Sequence, residues 1–101
     1  NYDAKRLALG PYPESLKTRI AGRGGHLSNL QTSLLLEEVL SEQTKSVVLC
    51  HLSEKNNAPH IAESEVLFRL DNWSGDLRIS TRNGPEFSHW IGQEEAELIT
   101  L

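Results

Sequence analysis

The chain has 101 residues, of which 38% are apolar and 24% are charged, and its formal net charge at pH 7 is -4. These values are ordinary for one globular domain and exclude a disordered or fibrous chain. The sequence contains no apolar run near the roughly 18 residues of a membrane-spanning helix, and no signal-peptide pattern. A single cysteine excludes an internal disulfide and fits a reducing, cytoplasmic setting. Because there is no methionine, we expect a segment of a longer protein.

A short basic helix is predicted near the start of the sequence. Pro13 followed by ESLKTRIAG is typical of a helix with proline in its first turn. Leu16 and Ile20 are expected to face inward, which leaves three basic side chains nearer to solvent or a ligand, namely Lys17, Arg19 and Arg23. Residues 1–25 hold five Lys/Arg against two acids, so this part could meet an anion. Ordinary solvated helix faces remain the alternative explanation of the same charges.

A second helix is predicted after the glycine-rich turn. Ser28 is followed three residues later by Gln31, which is the capping-box spacing. The helix should run from about residue 29 to residue 41. Its core face is predicted from the apolar residues at helical spacing, which are Leu30, Leu34, Leu35, Val39 and Leu40, with Leu36 widening the stripe.

The middle of the sequence predicts a strand followed by another helix. Ser46–Cys50 is apolar and rich in β-branched residues, as in a strand buried on both faces of a parallel sheet. Asn56 or Asn57 is predicted to cap a helix that has Pro59 in its first turn and runs to about residue 70. Helix, strand and helix together indicate the α/β class.

The last third predicts a loop and a closing pair of strands. Residues 71–76 have loop composition, and residues 77–82 alternate apolar and polar positions as a half-buried strand does. Asn83-Gly84 is a strong hairpin-turn signal, and Pro85 shifts the expected partner strand to residues 87–91. We expect residues 92–101 to form a last helical turn or to be disordered.

Two histidines are predicted to lie where an element begins or ends, at positions that suit catalysis or metal binding. His51 follows the predicted buried strand, where the carboxyl ends of parallel strands form the ligand-binding edge and an imidazole can ligate a metal. His26 lies two residues before Ser28, beside a helix start that favours anions, where an imidazole can act as a general acid. Taken singly, a histidine at a strand end is more often a hydrogen-bonded structural residue, and Gly-Gly-His before a helix is consistent with a plain turn. His60 and His89 have no partners at ligand spacing and are predicted to lie on the surface.

The two sequence stretches that contain these histidines indicate a protein family more specifically together than either does alone. GPYPESLKTRIAGRGGHLSN followed by VVLCHLSEKNNAP resembles the carboxyl-terminal part of metallo-β-lactamase-fold hydrolases, closest to the YycJ-like (WalJ) branch. The resemblance extends over about residues 1–62. The same order of motifs is also similar to that of tRNA 3′-processing endoribonucleases. It implies that residues 1–101 form a single segment, the carboxyl-terminal half of an αββα sandwich, without the amino-terminal HxHxDH half.

The resemblance also implies roles for individual residues. His51 would be the last ligand of a two-metal site, and His26 would be the catalytic proton donor. The resemblance implies that three polar residues support the site or order its loop, namely Ser53, Asn56 and Asn57, and that three basic residues lie along a phosphate backbone, namely Lys17, Arg19 and Arg23. The intact enzyme would use two divalent metal ions, zinc or manganese, of which this segment would hold at most one weakly. One departure is that the family pattern Ser-Asn-His-Asp stands where this sequence has Asn1-Tyr2-Asp3.

We therefore expect part of a metal-dependent phosphodiesterase or nuclease that acts on DNA or RNA and is inactive alone. Its expected partners are nucleic acid, the amino-terminal half of the same fold and, through exposed apolar surface, a second copy as a homo-oligomer, but no membrane. One alternative is a non-catalytic α/β interaction module that pairs with another chain. A further alternative is a hydrolase of a small ester or thioester, because one fold supports many chemistries.

Overall fold

The structure is a computed structural model that describes residues 1–80 and 97–100. In chain order its elements are α1 (Ala4–Leu9), α2 (Glu14–Ala21), α3 (Asn29–Val39), β1 (Thr44–Leu49), α4 (Pro59–Arg69), β2 (Asp76–Ile79) and β3 (Glu97–Thr100). The strands form a three-stranded sheet in the order β2-β1-β3. The predicted α/β class is therefore confirmed.

The central strand β1 is parallel to both of its neighbours. Val47 pairs with Leu77 of β2 on one side and with Ile99 of β3 on the other. Every residue of β1 except Lys45 is buried, which agrees with the prediction of a strand covered on both faces. The edge strand β2 alternates exposed and half-buried residues, as predicted for a half-buried strand.

The core lies between the sheet and helices α3 and α4. Its buried apolar side chains come from all three, and they are Leu36, Val47, Leu49, Ala62, Val66 and Leu70. Trp73 packs against this cluster, and its indole Nε1 donates a hydrogen bond of 2.9 Å to the carbonyl oxygen of Thr44. The tryptophan therefore ties the loop before β2 to the start of β1.

Local signals correctly place most helix starts. In the capping box of α3, the Gln31 amide donates to Ser28 Oγ at 3.1 Å, and the Ser28 amide donates to Gln31 Oε1 at 2.8 Å. Helix α2 begins directly after Pro13, as predicted. The predicted cap of α4 is wrong, because Ala58 is the capping residue and makes no side-chain cap bond. The neighbouring asparagines are engaged in other contacts, described below.

The predicted core face of α3 is confirmed only in part, because Leu36 lies in the core and Leu40 packs against it. Leu30, Leu34 and Val39 are 43%, 44% and 49% exposed, whereas Leu36 is fully buried. The buried side of the helix carries small polar residues, including Thr32 and Ser33. Because leucines occur on several sides of this helix, their spacing alone does not identify the side that packs. Leu16 and Ile20 of α2, predicted to face inward, are half-buried.

The tail forms a strand instead of the predicted helical turn or disordered segment. The backbone of Glu97–Thr100 forms β3, which pairs in parallel with β1, with a register shift between Thr44 and Ser46. Pairing between segments so distant in the chain leaves no local signal in the sequence, which is why the prediction failed. The predicted hairpin at residues 83–84 and its partner strand at 87–91 lie outside the described residues.

The packing of α3 gives a matched pair of stability predictions. We expect Leu36→Ala to lower the free energy of unfolding by about 2–5 kcal/mol, because it opens a cavity in the core. Leu34→Ala on the same helix should cost about 1 kcal/mol or less, because that side chain is already half in water. Urea unfolding followed by circular dichroism measures both, and equal losses would contradict the observed helix orientation.

Candidate functional site

The extended segment Asn1–Asp3 lies against the start of α3. Tyr2 forms a parallel bridge with Ser28, and the Asn29 amide donates to the Tyr2 carbonyl oxygen at 2.8 Å. The Tyr2 side chain is buried, and this burial raises the pKa of its hydroxyl group. The segment is thereby fixed to the first His-Leu-Ser stretch of the chain.

The same segment is bound on its other side by the loop that follows β1. The Ser53 amide donates to the Asn1 carbonyl oxygen at 2.8 Å, and the Asp3 amide donates to the Asn56 carbonyl oxygen at 2.8 Å. Asn1 Nδ2 donates to the carbonyl oxygen of His51. The first three residues therefore join the two His-Leu-Ser stretches by backbone hydrogen bonds.

A buried pair of asparagines reinforces this junction. Asn29 Nδ2 donates to Asn57 Oδ1 at 2.9 Å, and Asn57 Nδ2 donates to Asn29 Oδ1 at 2.8 Å. Asn57 Nδ2 also donates to the carbonyl oxygen of Asn1 at 3.1 Å, and its Oδ1 accepts from the Ala58 amide. Both side chains are almost completely buried, so each amide relies on these protein partners.

His51 directly follows β1 and has an uncommon backbone conformation. Its φ angle is +58°, in the left-handed region that residues other than glycine rarely occupy. The side chain is exposed, while the carbonyl oxygen is held by Asn1. Such conformations persist where surrounding contacts hold them, and they concentrate at functional sites.

His26 is positioned by a glycine turn at the end of α2. Gly24 has a φ angle of +80°, and a Cβ atom on Gly25 would lie 2.3 Å from the carbonyl oxygen of Ile20. The His26 amide donates to that same oxygen at 2.9 Å. Glycine is therefore required for the chain to turn this closely, and the exposed imidazole emerges directly after it.

The two histidines line one cavity of about 700 Å³ beyond the carboxyl end of β1. Its wall includes His26, the whole of residues 50–56, and Tyr12 with Ile20 from the α2 region. The cavity thus contains four of the predicted site residues, which are His26, His51, Ser53 and Asn56. A second cavity, of about 890 Å³, lies at the amino-terminal ends of β1 and β2 and contains none of them.

The cavity residues that were not among the predicted site residues include Tyr12 and Lys55. Tyr12 stands within GPYP, a stretch that carries the family resemblance but gives no site role to its tyrosine. Lys55 follows the second His-Leu-Ser stretch, and its position in that loop was the available signal. Glu54 also lines the cavity, so its wall carries both signs of charge.

The predicted basic residues, which are Lys17 and Arg19 in α2 and Arg23 just after it, do not line this cavity. Lys17 Nζ donates to the carbonyl oxygen of Ala8 at 2.8 Å and lies 3.6 Å from a carboxylate oxygen of Glu14. Its ammonium group therefore connects α1 to α2. Arg19 and Arg23 are exposed. A substrate-binding role for these three residues stays a prediction.

The predicted supporting residues take part in ordering the loop. Ser53 Oγ accepts a hydrogen bond of 3.1 Å from the Asn56 amide. Asn56 is buried, and its Oδ1 has no hydrogen-bond partner among the described residues. Asn57 is the most extensively bonded of the three, because its carbonyl oxygen also accepts from Arg6 at 3.0 Å.

The described residues do not form a metal site by themselves. Within residues 1–80 and 97–100, no group of three or more His, Cys, Asp and Glu side chains is arranged to hold an ion. Catalytic zinc generally has three protein ligands. Cys50 is half-buried beside His51, and burial raises the pKa of its thiol, which disfavours the thiolate that would bind a metal. His51 fits as one imidazole ligand, but the rest of a ligand set is not found among these residues.

Comparison with known proteins agrees with the sequence motifs. The chain is 38% identical over 66 residues to exodeoxyribonuclease YycJ of Bacillus anthracis, a match covering 65% of this chain and 25% of the relative. It is 36% identical over 70 residues to exodeoxyribonuclease WalJ of Streptococcus pneumoniae serotype 2, covering 69% and 26%. The predicted resemblance to the YycJ/WalJ proteins is confirmed. The chain spans about a quarter of the length of these curated relatives.

The other comparisons add no further relatives. No protein-family model matches the chain, and no solved structure matches it. None of the helices in the part of the chain that the structure describes is long and apolar enough to cross a membrane.

The asparagine pair predicts a strong energetic coupling. Asn57→Ala and Asn29→Ala should each lower the free energy of unfolding by about 1–3 kcal/mol, because each leaves a buried amide without its partner. The double variant should lose less than the sum, giving a coupling energy of about 0.5–3 kcal/mol in a double-mutant cycle.

The exposed Asn72, in the loop before β2, is the matched control for this cycle. Asn72→Ala should change the free energy of unfolding by no more than about 0.5 kcal/mol. Strictly additive losses at Asn29 and Asn57 in urea unfolding would show that the two side chains do not interact in solution.

Proposed function

We propose that this chain is part of a metal-dependent nuclease-type hydrolase that acts on nucleic acid and is inactive by itself. The observation that carries the proposal is that His26 and His51, from two separate junctions, line the same cavity at the carboxyl end of β1. The similarity to YycJ and WalJ, both named exodeoxyribonucleases, supports DNA as the substrate. We further propose that the segment is the carboxyl-terminal half of a metallo-β-lactamase αββα sandwich.

The proposed roles follow from the chemistry of each histidine and its place in the cavity. His51 supplies one neutral imidazole to a metal site, because its backbone is fixed at the strand end while its side chain is exposed. His26 holds the proton that passes to the departing oxygen. Bound metal ions in such hydrolases polarise the phosphate group. The two ions of this proposal, zinc or manganese, need ligands beyond the described residues, and this chain alone holds at most one ion weakly.

The unpaired thiol supports a reducing location for the intact enzyme. Cys50 is a free cysteine, half-buried beside the cavity. Free cysteines are common in compartments where thiols stay reduced. We therefore place the intact enzyme in the cytoplasm.

A second candidate function is a non-catalytic module that pairs with another chain. Exposed apolar side chains on α3 and α4 favour it, since Leu30 and Leu34 are more than two-fifths exposed and Phe68 is 84% exposed. Exposed apolar surface of this kind is typical of an interface. The same surface is expected if the chain packs against the remainder of a larger fold.

A chimaera tests the proposed function directly. The matching segment of Bacillus anthracis YycJ is replaced by residues of this chain, and exodeoxyribonuclease activity and bound metal are measured. We expect an active chimaera in which His51→Ala lowers both metal content and activity. His26→Ala should lower turnover by about 100-fold or more with metal content unchanged, because a general acid contributes that much.

His60→Ala is the matched control, because His60 is an exposed histidine at the start of α4 and does not line the cavity. This variant should change neither the metal content nor the exodeoxyribonuclease activity of the chimaera. A folded chimaera that binds metal but does not hydrolyse DNA would favour the interaction module. Loss of metal on His26→Ala would contradict the assignment of roles to the two histidines.

A further inference from the structure

Tyr12 and Lys55 contribute to the cavity but have no role in the function proposed above. Both residues line the same cavity as His26 and His51. Lys55 Nζ lies over the ring of Tyr12, 5.9 Å from its centroid. This distance is near the outer limit of about 6 Å for a cation–π interaction. The pair therefore brings a cation and an aromatic face to the candidate site.

The position of Tyr12 is restricted by its neighbours in the chain. Pro11 and Pro13 flank it, and Pro13 is the capping residue directly before α2. Proline fixes its own φ angle and restricts the residue before it to extended conformations. Tyr12 is half-buried and lines the cavity, so its ring offers an aromatic surface there.

Lys55 differs from Lys17 of α2 in what its ammonium group contacts. Lys17 is 13% exposed and is engaged by a carbonyl oxygen and a carboxylate. Lys55 is exposed and, within residues 1–80 and 97–100, forms no salt bridge. A cation held by an aromatic face keeps its hydrogen-bond donors available for an anion.

We propose that Lys55 binds a phosphate group of a nucleic-acid strand in this cavity and that Tyr12 is the positioning residue for its ammonium group. The identity of the ligand rests on the proposed function. Glu54 lines the same cavity, so the wall is not uniformly positive. Phosphate binding therefore depends on where the ammonium group lies, and the Tyr12 ring sets that position.

The test measures binding without hydrolysis. Fluorescence anisotropy of a fluorescein-labelled single-stranded DNA oligonucleotide is recorded with this chain over a series of salt concentrations. Lys55→Ala should weaken binding several-fold at low salt. It should also make the slope of log K against log salt shallower by about 0.7, the value for one phosphate contact on a single strand. Lys55→Arg should restore both quantities, because it keeps the charge.

Variants of Tyr12 distinguish a loss of Lys55 positioning from a general loss of structure. Tyr12→Phe keeps the aromatic face and should bind like the parent chain, whereas Tyr12→Leu should weaken binding with the charge unchanged. Lys45→Ala is the matched control, because Lys45 is exposed near the start of β1, at the opposite end of the strand from the cavity. It should leave affinity and slope as they are.

Several results would overturn the inference: no binding of the oligonucleotide at low salt, an unchanged slope for Lys55→Ala, or an equal loss for Lys45→Ala. Displacement of the oligonucleotide by inorganic phosphate at matched ionic strength would indicate a free-anion site and would overturn the strand assignment. The chimaera distinguishes this failure from that of the proposed function. If binding depends on Lys55 but the chimaera is inactive, the nuclease proposal is refuted and the inference about Lys55 stands.

Discussion

The reciprocal hydrogen bonds between Asn29 and Asn57 are the contact on which the candidate site depends. They connect the start of α3 to the loop after β1, and Asn57 also holds the carbonyl oxygen of Asn1. Three separate backbone segments meet here, and their buried polar groups require partners that apolar side chains could not supply. The polar junction therefore brings His26 and His51 to one cavity, although neither histidine lies within a helix or strand.

Sequence reasoning succeeded where the determining interaction is local. The capping box of Ser28 and Gln31 is encoded three residues apart and appears as predicted. The apolar run of β1 reports burial on both faces directly, and the placement of His51 at its carboxyl end follows. The motif match to YycJ and WalJ was visible for the same reason, because it lies in two short continuous stretches.

Sequence reasoning failed where several packings satisfy the same local pattern. Helix α3 has leucines on several sides, so its spacing placed the exposed Leu30 and Leu34 in the core face together with the buried Leu36. The pairing of β3 with β1 depends on contacts between distant parts of the chain. Lys55 lines the cavity and Lys17 is engaged by the end of α1, and charge along a sequence does not show which lysines already have partners.

The central claim is that the two histidine junctions form one site that can receive a metal ion. The most direct measurement is the broadening of histidine imidazole resonances by paramagnetic Mn²⁺ in an NMR titration of this chain. The account predicts that His51 and His26 broaden together over one range of Mn²⁺ concentration, before the exposed His60 of α4 does. Broadening of His51 without His26, or equal broadening of all three, would contradict it.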